Sequence, residues 1–253
     1  MKKLFAFVMT CVLLLSFVGC SKTGASSADN SKLDSSDTAK NDTDGASSQS
    51  EASKESTSSS KTTAPTEKDS KTLVVYFSMP ETTDPSNMTK EEDNSTVVID
   101  GKVLGNTQYM AYVIQENTGA DIFRIEPETP YPTNHATLVD LAAEEQDKNA
   151  RPVIKSHIDN IEQYDTIFLG YPNWWGDMPM IVYSFLDEYD LSGKTIIPFN
   201  SHGGSGFSNT ISTIEKLEPN ATVNEKGYTV SRNKVEEDAP NIISWLNDLG
   251  YAK

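Results

Sequence analysis

Four short, almost wholly apolar runs recur along the second part of the chain: LVVYF at 73–77, ADIFRI at 120–125, TIFLG at 166–170 and TIIPF at 195–199. A strand buried on one face alternates apolar and polar residues. A continuous run therefore means that both faces are covered. Between these runs, residues 108–117, 137–148, 180–188 and 208–217 carry apolar side chains at helical spacing. Residues 235–249 do the same, and Gly250 follows as a stop. A fifth strand is expected within 222–230. Strands alternating with helices across short joins predict an α/β domain over residues 72–253: a doubly wound, five-stranded parallel sheet.

One segment interrupts the alternation. Between Ser78 and Leu104 the chain inserts residues that end in a hairpin signal, 96–99 and 102–104 around Asp100-Gly101. Asp-Gly suits the tight turn that joins antiparallel strands. The insertion thus grows out of the first strand–helix connection.

The start of the chain is of another kind. Lys2 and Lys3 precede an apolar stretch, 4–18, that is too short to span a bilayer as a stable helix and reads as an export signal. Phe17-Val18-Gly19-Cys20 resembles the lipid-attachment box of bacterial lipoproteins, which implies a signal peptide over 1–19 and a lipid on Cys20. An ordinary cleaved signal with a chance cysteine is the alternative. Residues 20–71 after it are Ser/Thr-rich, with Leu33 as the one large apolar side chain. Such a stretch cannot offset its ordering entropy by burial, so a disordered tether reaching roughly 40 Å is expected. The implied location is outside the cytoplasm, held to the membrane through Cys20.

Charge and cysteine content then exclude several functions. The net charge is −16, and residues 72–253 hold 28 of the 37 acidic residues but 12 of the 21 basic ones. A nucleic-acid backbone or an anionic lipid surface would be repelled by this domain. Cys11 and Cys20 are the only cysteines, so the domain has no disulfide framework, thiolate metal site or cysteine nucleophile.

Three loops follow strands, where open α/β sheets bind ligands. The first is split: Ser78 follows strand one and Gly105-Asn106-Thr107 opens the next helix, either as a simple cap or as a phosphate seat of amides and hydroxyls. The second is Pro172-Asn173-Trp174-Trp175-Gly176. Its tryptophans either pack into local core or stack on a planar ligand; adjacent residues on an extended loop point in different directions, so both can hardly enter one core. The third, Ser201-His202-Gly203-Gly204-Ser205-Gly206, exposes backbone amides, and His202 is either a polar loop residue or part of a ligand's edge.

Taken with Val75-Tyr76-Phe77-Ser78, these motifs resemble the flavodoxin family over essentially all of residues 72–253. The resemblance implies a strand order 2-1-3-4-5 and a bound FMN. It places Ser78, Asn106 and Thr107 on the phosphate with the amides around Gly105. Pro172, Asn173, Trp174, Trp175 and Gly176 would flank the ring, with Trp175 the indole chosen to face it. Ser201, His202, Gly203, Gly204 and Gly206 would line its polar edge. The departure is Met79-Pro80-Glu81 after Ser78: Pro80 has no amide to donate, and an inward Glu81 would repel phosphate.

The expected function is electron transfer, with a redox partner protein or a small-molecule acceptor. No acid, base or metal ligand stands out. An NAD(P)H-dependent quinone-type reductase is the alternative, and a flavin-free surface binding module is a third. His202-Gly203-Gly204 is similar to an esterase oxyanion loop, but Ser205 lacks the Gly-x-Ser-x-Gly spacing of the matching nucleophile.

Overall fold

The computed structural model describes residues 71–253. The signal, lipid-box and tether expectations lie outside these residues, except that Lys71 already belongs to a strand. The five principal strands are β1 (Lys71–Tyr76), β4 (Asp121–Arg124), β5 (Tyr164–Pro172), β6 (Thr195–His202) and a split fifth position, β7 (Thr222–Val223) and β8 (Tyr228–Ser231). All pair in parallel, in the order β4-β1-β5-β6, with β7 and β8 both on β6. Counted as five positions, this is the expected 2-1-3-4-5.

The fifth position is split for a local reason. Gly227, between β7 and β8, lies so close to the Pro198 carbonyl that a Cβ there would sit 2.5 Å from it. The N–H and C=O of one strand residue point the same way, so the donor that Pro198 lacks also faces this side. Proline in a strand interrupts the ladder at such a point.

Side-chain alternation divides the interior into two layers. Leu73, Val75, Phe77, Ile167, Leu169 and Tyr171 face α3 (His135–Asp147), α4 (Met180–Glu188) and α5 (Thr210–Leu217). Val74, Tyr76, Phe168, Ile197 and Phe199 face α2 (Asn106–Thr118) and α6 (Ala239–Leu249). Both faces being covered explains why the runs read as continuously apolar. Helix α6 starts four residues later than its apolar spacing suggests, because Pro240 sits in its first turn.

The insertion contains an element absent from the sequence reading, α1 (Lys90–Ser95). Its capping box is complete: the Thr89 side chain accepts from the Glu92 N–H, and the Glu92 carboxylate accepts from the Thr89 N–H at 2.7 Å. The hairpin β2 (Thr96–Ile99) and β3 (Lys102–Gly105) follows, with Asp100 and Gly101 at φ 50° and 74° as the tight turn requires. β3 runs straight into α2.

Candidate functional site

Strand register brings the three loops to one level. Tyr76 pairs with Gly170, Tyr171 with Asn200, and Pro172 with Ser201. β5 and β6 thus run further than their apolar cores, and their ends lie side by side. Thr107 Oγ1 and Ser201 Oγ are 3.3 Å apart, joining the start of α2 to the end of β6. A Cβ on Gly105 would sit 2.2 Å from Ser78 Oγ, so glycine lets the two halves of the split loop close together.

A cleft of about 340 Å³ opens at this edge. Ser78, Asn106 and Thr107 line it, as do Pro172, Asn173, Trp174, Trp175, Ser201, His202 and Gly203. Four of the expected residues, Gly105, Gly176, Gly204 and Gly206, stand outside this lining. Their place is in the backbone behind it. Gly204 and Gly206 have φ of 135° and 59°, and the Gly206 carbonyl accepts from the side chains of Asn173 and Asn200, each at 3.0 Å. They fold the third loop against the second.

The two tryptophans divide as adjacent residues must. Trp174 packs edge-on against Phe77 and Tyr131, with ring centroids 5.5 and 5.6 Å away, and joins the core. Trp175 is 61 % exposed. Backbone bonds of 2.9 Å in both directions between Trp174 and Asp177 close a tight turn, with Trp175 and Gly176 at φ 53° and 79°. A bulky residue in the left-handed region costs roughly 1–2 kcal/mol. The turn nevertheless holds an indole out over the cleft, its Nε1–H donating to the Val139 carbonyl at 3.2 Å.

His202 is anchored as well. The Gly204 N–H donates to its Nδ1 at 2.9 Å, which leaves the ring proton on Nε2. Burial lowers its pKa, so the neutral ring is favoured near neutral pH.

Several lining residues were not anticipated. Glu81, Glu91, Asn94 and Ser95 come from the insertion, His135, Leu138, Val139 and Ala142 from α3, and Arg232 from beyond β8. The capping box Thr89–Glu92 was the available signal for the first group. Glu81 does turn inward, as the sequence made conceivable, and His135 Nδ1 lies 3.0 Å from both of its carboxylate oxygens. Asn106 is 5 % exposed and its Oδ1 has no hydrogen-bond partner. Among the described residues, no group of three or more His, Cys, Asp or Glu could hold a metal ion.

The flavodoxin family profile matches residues 96–249. The chain belongs to the flavodoxin family. Among solved structures, this family member is similar to a protein of Bacteroides eggerthii assigned to the flavoproteins. That pair is 28 % identical with a TM-score of 0.54, over 72 % of this chain and 99 % of the other. A second such protein, from Bacteroides uniformis, is 24 % identical with a TM-score of 0.54, over 70 % and 98 %. A flavoprotein of Lactobacillus acidophilus in complex with FMN is 21 % identical with a TM-score of 0.47, over 67 % and 97 %. No curated protein sequence matches the chain.

Proposed function

We propose that this flavodoxin-family protein binds FMN and carries electrons at the cell envelope, tethered by a lipid on Cys20. The observation that carries the reading is one cleft with a hydroxyl-lined helix start at one end and a strained, exposed indole over the rest. Its volume suits a small cofactor, such sites being about 300–1,000 Å³. The buried Asn106 Oδ1 is an acceptor without a partner, which supports a ligand hydroxyl donating to it at the helix end, beside the phosphate and not bonded to it.

Ser78, Asn106, Thr107 and the first amides of α2 would hold the phosphate. Trp175 would cover the ring, and the Nε2–H of His202 with the Gly203 backbone would meet its polar edge. FMN, when bound, supplies the electron chemistry. The protein's part is to bind and orient it on an acidic domain, with Glu81 and Glu91 on the cleft, which disfavours further negative charge and lowers the potential for the last electron. A redox partner protein or a small acceptor would exchange electrons at the exposed Trp175 side.

The test is the full chain, purified and examined for colour. A yellow protein that releases FMN on denaturation is expected, with a last-electron midpoint below that of free FMN. A colourless protein that does not take up added FMN would overturn the reading. Steady oxidation of NAD(P)H by the pure holoprotein would assign a reductase in place of a carrier.

A further inference from the structure

At the α2 end of the cleft the acceptors crowd together. Glu81 is 8 % exposed, lines the cleft, and is held by His135. Its backbone N–H donates to Ser95 Oγ at 3.0 Å, and Asn106 Nδ2 donates to the Asn94 carbonyl at 2.8 Å. The first loop, α1 and the first turn of α2 therefore make one polar floor. The unpartnered Asn106 Oδ1 belongs to it. Other charged or titratable groups on the cleft are Glu91 on α1, and His202 and Arg232 by the third loop. From β4, Arg124 donates its Nη2–H to the Ser78 carbonyl at 3.2 Å. No lysine lines the cleft among the described residues.

A phosphate on this floor meets the Glu81 carboxylate. Two like charges brought together in this largely buried setting repel. We propose that Glu81 and His135 together decide whether this end of the cleft accepts a phosphate, the carboxylate disfavouring it and the imidazole on both carboxylate oxygens offsetting that charge. The inference rests on the flavin reading above. It makes the pair a determinant of specificity between a phosphorylated flavin and its dephosphorylated form, whose terminal hydroxyl can donate to Asn106 Oδ1 without meeting repulsion.

Riboflavin carries no phosphate, so the Glu81 carboxylate does not discriminate against it. Glu81→Gln keeps the polar floor and removes the carboxylate, while His135→Gln leaves the carboxylate without the imidazole that sits on both of its oxygens.

The test titrates the flavin-free full chain with FMN and with riboflavin at one pH, following fluorescence quenching. Glu81→Gln should raise the ratio of FMN to riboflavin affinity about tenfold or more over the wild type, with riboflavin itself changing less than twofold, and His135→Gln should lower that ratio. Riboflavin binding reports in every variant that the cleft is folded. A Glu81→Gln ratio equal to that of the wild type overturns the proposal and leaves the flavin reading standing. Failure of both ligands to bind removes both.

Discussion

Glu81 and Glu218 are the two buried carboxylates among the described residues, 8 % and 9 % exposed, at opposite edges of one sheet. Glu81 follows the carboxyl end of β1, opens on the cleft and has a histidine on both oxygens. Glu218 ends α5 just before β7, at the amino edge, where burial and then the carboxylates of Asp190 and Asp187 push its pKa up to about 7. A strongly perturbed acid is often taken as the mark of a site. Here that acid lies away from the cleft, and the matched one lies on it. Burial tells the two apart less well than the sign of the neighbour and access to a ligand. The comparison predicts that changes at the amino edge move stability, and changes at the carboxyl edge move binding.

The largest effect should cut across that division. Trp174 is at the carboxyl edge yet packs with Phe77 and Tyr131. Trp174→Ala should cost about 3 kcal/mol of stability, the lower end for losing a large aromatic from a core. Urea unfolding measures it. A cost below 1 kcal/mol would show that the loop, and with it the cleft, does not depend on this core contact.

Next is Glu218→Gln, which tests the amino edge. Its folded pKa of about 7 lies above the ordinary carboxyl value. The folded protein therefore keeps a proton that the unfolded chain releases, and stability falls as pH rises from about 4.5 to 7. Glutamine removes that penalty. The variant should gain about 2 kcal/mol at pH 8, which is about 4–8 °C in Tm for a domain of this size, and almost nothing at pH 4. Flavin affinity should not change. A gain equal at both pH values would mean that Glu218 is not the group responsible.

The same contrast explains what was legible in the sequence. The sheet was, because each doubly covered strand writes its burial as consecutive apolar residues such as 73–77 and 166–170. The aromatic and glycine loops were, because they continue strands whose register fixes where they emerge. The split of the fifth position was not: it depends on Pro198 meeting Gly227 across the sheet, a contact no local pattern records. Nor was the acidic floor. Glu81 and His135 stand far apart in the chain, and only the closure of Ser78 on Gly105 brings the insertion over the cleft.

At the carboxyl edge, Trp175→Asn separates backbone strain from ligand contact. Asparagine accepts the left-handed conformation that the turn imposes at φ 53°, so stability should hold within about 0.5 kcal/mol despite the lost bond to the Val139 carbonyl. FMN and riboflavin should both weaken by about tenfold or more, the scale of one aromatic stacking contact. Unchanged affinity would take Trp175 off the ring.

The smallest effect is expected at Ser78, and it is the most selective. Its side chain is buried, lines the cleft and sits against Gly105; in the proposed FMN pose it would donate to the phosphate and not to the ring. Ser78→Ala removes one such hydrogen bond, worth about 1 kcal/mol, or roughly fivefold in affinity. The loss should fall on FMN alone, because riboflavin places no phosphate there. Parallel titrations with the two flavins give the comparison directly. Equal losses for both would move Ser78 from the phosphate end to the ring, and would take with it the argument that Glu81 stands where a phosphate must come.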